Sequence, residues 1–539
     1  MTAFITTPCV TTFLVIGDGL ALSSAFALAY LVFCIVLTTS VCVYRLSPWH
    51  PLAKYPGPAI LKLTKLFGTW IAYKGKTHLY MKRLHDTYGP IVRIGPNELS
   101  TIDKDLIPQI LGKQGMPKGH LWDGRRFENR VTSSQYQSLI GVRDSVIHSK
   151  LRHSWNKAFS AEPMKTYEEL LIRRVVELND RLKEACGEEI VLTDITRWFS
   201  YFSYDFMGDL AFAGRFRLMQ EGDEDGVIKL MKDAMHLLSV LQHVPWISAL
   251  VQSLPIFSSG LSKFTKNGLM FATQRSETQM KRKDLFYYMG EASGNSGSDF
   301  HTIANNAFLT IVAGSDTTAS VLSNAVYLLL SHQDQYELLR KEVDQAFEDH
   351  DIMLDKRTFG EDGAIAKMYS EELGGLALLN AVINETLRLF PAVPTSLQRA
   401  PAVGTLHKIL HMDHENIILP QGNAINIPPY VLHRDPRYFY PKPDSFIPER
   451  WLSAPTDARY ITSRNAFIPF SVGPQNCVGR PLALIELRYV LAMLIRNFDM
   501  NFDQDTYDKC QWENELQDRF TLHTGALNIR VGIRRSPQT

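Results

Sequence analysis

From Gly19 to Tyr44 the chain runs for 26 residues without a charged side chain, GLALSSAFALAYLVFCIVLTTSVCVY. At ~1.5 Å of rise per residue, such a helix is longer than the ~30 Å of hydrocarbon in a bilayer. A cleaved signal peptide needs a basic leader and a shorter apolar run, and residues 1–18 contain no Lys or Arg. The expectation is an uncleaved anchor over 19–44 behind a short lumenal amino terminus, 1–18. Positive charge first appears beyond the run, at Arg45, Lys54, Lys62 and Lys65, which by the positive-inside rule places the remainder in the cytoplasm. Lys54-Tyr55-Pro56-Gly57-Pro58 then reads as a stiff spacer, because its prolines fix φ and extend the residues before them, and it closes a linker over 45–58.

The remainder, 59–539, has no internal repeat or low-complexity tract. Length alone favours roughly three domains of ~150 residues in the whole chain. Lys and Arg number 57 against 56 Asp and Glu, a net charge of +1. No overall field therefore exists to gather nucleic acid, and none is expected as a partner. Six cysteines (9, 34, 42, 186, 477 and 510) are too scattered for a disulfide framework or a zinc site. Helical periodicity dominates, at Leu170–Leu182, Asn305–Leu330, Gln335–Phe347, Leu376–Phe390 and Leu482–Phe498. Extended runs are short: Ile91–Ile94, Asn423–Ile427 and Asn528–Ile533. The expected class is mainly α with a small β region, with loose loops at Gly290–Ser298 and around Glu348–Asp362.

Nucleotide motifs fail. Gly75-Lys76-Thr77 lacks the glycine a phosphate loop needs five residues earlier, where Trp70 stands, and no GxGxxG follows a strand. The chemistry-bearing segment is instead Phe470-Ser-Val-Gly473-Pro-Gln475-Asn-Cys477-Val-Gly479-Arg-Pro481, a glycine-rich loop that delivers one cysteine to the start of an apolar helix. Unpaired N–H groups and the helix dipole favour a thiolate there, and Gly479 is expected to let the main chain approach the sulfur. Such a sulfur suits a soft metal.

Here the sequence resembles the cytochrome P450 family, whose cysteine loop binds haem iron, and the likeness runs from Pro56 to the end. Glu385-Thr386-Leu387-Arg388 lies 92 residues before Cys477, and Pro448-Glu449-Arg450-Trp451 follows it in the family's order. The resemblance implies a buried structural network of Glu385, Arg388 and Arg450. Ala313-Gly314-Ser315-Asp316-Thr317-Thr318 looks like the family's oxygen-binding motif. Its small residues are expected to open room, Thr317 to hold a distal water, and Asp316 to refill the proton path from solvent.

For the cofactor, the resemblance implies haem b with Cys477 as axial thiolate and metal ligand, Gly473 and Gly479 shaping its loop, and Arg152, Arg399 and His148 toward the propionates. His148 departs from the family's usual Trp. Gln475 departs from its usual Arg or His, offering an amide donor without charge, from which weaker haem retention or a shifted potential is expected.

The implied architecture, one large haem domain behind one transmembrane helix, overrides the length prior. The implied activity is monooxygenation: one oxygen atom of O2 enters a lipophilic small molecule, a terpenoid or other secondary-metabolite intermediate. Electrons come from NADPH through a separate cytochrome P450 reductase, with cytochrome b5 as a second donor, at the endoplasmic reticulum membrane. Lys150, Arg152, His153 and Lys157 offer a basic edge for docking that donor. By analogy the pocket draws on Trp122–Val131, Asp205–Phe216, Val240–Ile247, Asn306–Thr310, Val393–Leu397 and Phe520–Leu522. Two other readings fit the same residues: a haem-thiolate isomerase or dehydratase that uses no O2, and a non-catalytic haem-binding membrane protein.

Overall fold

The computed structural model describes residues 12, 22–125, 138–214, 216–253, 255–277, 283–292, 300–359, 365, 367–413, 415–454, 457–503 and 508–534. The lumenal segment expected over 1–18 (apart from Thr12), residues 126–131 of the pocket and residues 293–298 of the first loose loop lie outside the described residues.

The apolar run forms α1, Leu22–Leu46, which reaches two residues beyond the span expected over 19–44, with only Ala25 and Ala29 buried; residues 19–21 lie outside the described residues. By length and composition it can cross a membrane, and its leucines, valines and isoleucines have no packing partner that would make it a core helix. The spacer expected over Lys54–Pro58 is docked rather than free. Pro56 O accepts from Arg93 N at 2.7 Å, Leu52 and Tyr55 are buried, and a Cβ on Gly57 would lie 2.3 Å from Arg93 O. Main-chain hydrogen bonding to a strand holds this segment in place of proline stiffness alone.

The body is built around α5, Phe300–Ser331, a 32-residue helix that is buried without a break from Thr318 to Leu330. Against it pack α4 (Ile195–Phe212), α6 (Ala377–Leu389) and α7 (Arg480–Asn497), while α3 (Ala161–Cys186) lies against α4 and α7. Pro481 sits in the first turn of α7, where its missing N–H costs nothing. The helix is then buried from Leu487 through Ile495 apart from Arg488. α4 carried no helical expectation, yet it is the closest neighbour of α5. Gly314 explains that approach: a Cβ there would lie 2.2 Å from Met207 Sδ of α4. The room expected at this small residue is thus filled by α4.

Strand pairing stays at the margins, as a small β region. One sheet has the order β1 (Ile91–Gly95), β2 (Glu98–Thr101), β5 (Ala424–Ile427), β4 (Leu397–Arg399), with β2 and β5 parallel and the outer pairs antiparallel. A second joins β6 (Phe498–Phe502), β9 (Asn528–Ile533) and β3 (Val191–Asp194). A hairpin of β7 (Gln517–Arg519) and β8 (Thr521–His523) turns at Phe520, whose φ is +83°. Gly290 is helical, within Leu285–Ala292, not loop.

Glu486 of α7 is buried between α4 and α5, accepting from Ser203 Oγ at 3.3 Å, with Thr318 as a second donor. Burial pushes its carboxyl up to about 8. With the folded value above the unfolded one, its contribution is full below about pH 4.5 and is lost as pH rises toward 8. Glu486→Gln is expected to remove that slope. Thermal unfolding of wild type and variant should coincide near pH 5, with the variant about 2–4 °C higher at pH 8.5.

Candidate active site

Cys477 stands at the mouth of α7. Its N–H donates to Phe470 O at 2.9 Å and Asn476 N to Gly473 O at 3.1 Å, closing the loop beneath the sulfur. The side chain has open surface, yet protein surrounds it closely enough that burial pushes the thiol up. Both hold if the sulfur opens onto an interior space rather than bulk water. Opposing the burial are the N–H groups of Gly479 and Arg480 and the charges of Arg152 and Arg480.

The two loop glycines differ. Gly473 has φ +75°, and a Cβ there would lie 2.1 Å from Leu111 O, so the loop tip packs directly on the end of the Ile107–Leu111 helix. A Cβ on Gly479 would stay 3.9 Å from Cys477 Sγ, ordinary contact. The close approach expected at Gly479 is made by its N–H, which reaches the Cys477 sulfur.

Arg152 is on α2, Ser145–Ala158. It donates through Nη2 to Asn476 Oδ1 at 2.7 Å, through Nη1 to Asn476 O, and through Nε to Asn156 Oδ1 at 2.9 Å. It braces the cysteine loop and so leaves the basic edge, on which Lys150, His153 and Lys157 remain exposed. His148, one turn earlier, is buried and pushed down to about 4 by burial and by the charges of Lys118, Arg152 and Arg399, so its imidazole is neutral.

Arg399 on β4 is 2% exposed and donates Nη1 to Gln398 O at 2.9 Å. Among the described residues no carboxylate pairs with it, and burial alone pushes it down to about 10. Lys118, bridged to Arg399 through the main chain, joins the cluster and donates to Leu139 O and Ile140 O at 2.9 and 2.7 Å. Gln475 Oε1 is buried without a partner. A buried guanidinium lacking an anion is costly, and a dianionic ligand relieves it. With a thiol that keeps open surface and, among the described residues, no carboxylate paired with the buried Arg399, these residues fit a haem: sulfur to iron, Arg399 and His148, with Lys118, to the propionates.

On α5, Thr317 Oγ1 donates to Ala313 O at 2.6 Å; Ala313 is exposed and Thr317 half-buried, so the two share an open face of the helix. Asp316 points elsewhere. Its side chain is 8% exposed, accepts from Tyr204 OH of α4 at 3.1 Å, and lies 3.8 Å from His523 Nε2. The direct solvent supply expected at Asp316 is therefore interrupted by these two side chains.

The structure also brings Glu385, Arg388 and Arg450 together. Arg388 grips Glu385 with Nε and Nη2, both at 2.8 Å, and Arg450 Nε donates to Glu385 Oε1 at 3.0 Å. Trp451 Nε1 and Ile447 N complete the carboxylate's shell at 2.8 and 2.9 Å.

Of the expected pocket stretches, three converge on Arg125. Its guanidinium lies 3.7 Å from the Phe520 ring centroid and 4.8 Å from that of Trp122, with Nη2 donating to Ser396 Oγ at 3.1 Å. Asp205 does not belong with them: its carboxylate accepts from Leu218 N and Met219 N at 2.7 and 3.0 Å and holds a loop. Sequence reasoning missed Lys118, Tyr204 and His523, and reached Arg125 only as one member of the stretch Trp122–Val131. None lies in a periodic or spaced motif, and only tertiary proximity singles them out.

A helix amino terminus presenting a thiol near the buried Arg399, with which no described carboxylate pairs, is the chemistry of a haem-thiolate site. A family model described as cytochrome P450 matches residues 58–528. The chain is 30% identical to cytochrome P450 monooxygenase notG' of Aspergillus versicolor, covering 99% of this chain and 91% of that protein. It is also 30% identical to a trichothecene C-15 hydroxylase of Fusarium sporotrichioides, covering 95% and 97%, and 28% identical to a tryprostatin B 6-hydroxylase of Aspergillus fumigatus, covering 90% and 81%. This chain belongs to the cytochrome P450 family. It is an oxygenase of the kind that uses haem on a cysteine thiolate, consumes O2 and takes electrons from a redox partner.

Proposed function

We propose that this protein inserts one atom of O2 into a lipophilic secondary-metabolite intermediate, using haem ligated by Cys477 and electrons from NADPH through a separate reductase, with cytochrome b5 as a second donor. The observation that carries the reading is the Cys477 thiol before α7, which keeps open surface although burial pushes it up, in a loop braced by Arg152 at Asn476. When bound, haem supplies the binding and reduction of O2, which no side chain can perform. The chain's own residues do the rest. The Gly479 and Arg480 N–H groups and the Arg152 charge oppose the burial that pushes the Cys477 thiol up. Arg399, His148 and Lys118 hold the propionates, so the cluster keeps its positive charge despite the neutral Gln475.

Protons reach the open face of α5 through Asp316 and Thr317. The Thr317 proton is engaged by Ala313 O, which leaves the hydroxyl oxygen free to accept from a water on the interior side. Thr317→Ala removes that acceptor while Ala at this position preserves the helix. NADPH consumption should continue while coupled product falls on the order of tenfold or more and peroxide rises; unchanged coupling would remove Thr317 from the proton path.

Two relatives are named for hydroxylating a trichothecene and tryprostatin B. With the aromatic convergence of Trp122 and Phe520, those names support an apolar substrate such as a terpenoid. The exposed Lys150, His153 and Lys157 suit the acidic face of a reductase. α1 followed by Arg45, Lys54, Lys62 and Lys65 supports a single-pass endoplasmic reticulum anchor with the body in the cytoplasm. Turnover under 18O-labelled O2 with NADPH and reductase tests the reading. One labelled atom in the product is expected, whereas unlabelled product formed without O2 would establish the isomerase or dehydratase alternative.

A further inference from the structure

Asp316 offers its two oxygens to different partners. Oδ1 accepts from Tyr204 OH at 3.1 Å; Oδ2 faces His523 Nε2 at 3.8 Å. Both Oδ2 and Nε2 are buried, and among the described residues neither has a hydrogen-bond partner. Tyr204 is fully buried and its hydroxyl is pushed far above its ordinary range by burial and by Asp316, so it stays a donor and fixes one end of the carboxylate. That leaves Oδ2 as the end at which a proton can arrive.

The opposition of His523 to Asp316 is built by the fold. Ser320, one turn beyond Asp316 on α5, donates Oγ to Leu522 O at 2.5 Å, tying β8 to the helix beside His523. The His523 side chain is 15% exposed although Nε2 is buried, so its open surface lies elsewhere on the side chain. Beyond it lie His236, Arg519 and the exposed Lys232, whose charges act on the ring.

We propose that His523 is the solvent-side member of the proton path to Asp316, with Tyr204 as the residue that holds Asp316 in register. The inference rests on the monooxygenase reading above and extends it to residues outside the oxygen-binding motif. A proton taken up at Nδ1 makes the imidazolium. Nε2 then releases its proton to Oδ2, leaving the neutral Nδ1–H tautomer, and exchange of that proton through solvent or a ring flip restores Nε2–H for the next delivery. A modest ring rotation brings Nε2 within hydrogen-bond distance of Oδ2 for the transfer. Burial, Lys232, Arg519 and His236 push the ring down while Asp316 pushes it up, so the neutral form returns readily after each delivery. His523 acts through Asp316 and is a positioning and relay group, not one that touches the reacting atoms.

Two measurements on the full-length chain test this. In the first, histidine NMR titration identifies the His523 resonance by its loss in His523→Gln. Asp316→Asn should shift the His523 titration to lower pH, because the carboxylate that favours the imidazolium is gone; an unmoved titration overturns the coupling. In the second, His523→Gln keeps an amide donor but cannot carry a proton. Product formation should fall on the order of tenfold with a larger solvent deuterium isotope effect, at unchanged haem content and melting temperature. Wild-type rate and isotope effect in that variant would overturn the relay alone. Failure of wild type to incorporate labelled oxygen would overturn the underlying monooxygenase reading, and the NMR result would still report on the pair.

Discussion

Cys477→Ser is expected to abolish oxygen incorporation outright while leaving the chain folded. The sulfur contributes little packing, since its surface is open toward the interior, and a serine hydroxyl fits the same space. The stability change should therefore stay within about 0.5 kcal/mol. Chemically the replacement is total. The Gly479 and Arg480 N–H groups and Arg152 oppose the burial that pushes the thiol up, and a bound iron would complete the thiolate, whereas an alcohol stays protonated at neutral pH. Product assays with reductase and NADPH, paired with thermal unfolding, separate the two effects. A variant that melts like wild type and makes no product agrees with the account; a variant that still makes labelled product removes Cys477 from the site.

The second large effect is on the fold. Glu385→Ala leaves Arg388 and Arg450, both within 2% of full burial, with backbone carbonyls as their remaining partners, among them His433 O, Ser445 O and Pro441 O. Breaking a buried pair by removing one partner costs about 3–5 kcal/mol, and here one carboxylate serves two cations. The melting temperature should fall well beyond the scatter of surface substitutions, and the haem-containing fraction with it. The sign with pH follows. The two arginines and the Ile447 N–H hold the Glu385 carboxyl below its ordinary value. Its stabilisation is complete above about pH 4.5 and is lost as pH falls through the lower folded value. Circular dichroism melts between pH 3 and 7 should show the wild-type advantage shrinking toward acid; an equal advantage at every pH would contradict the assignment.

What was legible in the sequence was what the chain encodes locally. The cysteine loop, Glu385 with Arg388 and the small-residue segment of α5 are short patterns at fixed spacings, and their order along the chain multiplied their weight. The apolar run before Arg45 was legible because bilayer thickness is a length that residues can be counted against. Other features depend on partners hundreds of residues apart. Gly314 reads as open space until Met207 is placed against it. Arg152 reads as a propionate ligand or a docking charge until Asn476 is seen to take two of its donors. His523 meets Asp316 only because Ser320 ties the final hairpin to the central helix. Lys118 adds a charge to the cluster from a segment with no motif at all. Strand β4, three residues long, carried no alternation to find, yet it positions Arg399.

The most direct test of the central claim is the carbon monoxide difference spectrum of reduced membranes carrying the full-length protein, with Cys477→Ser beside it. The account predicts a red-shifted, thiolate-type Soret band in wild type that is absent from the variant. A haem spectrum without that band in wild type, or the same band in both, would contradict it.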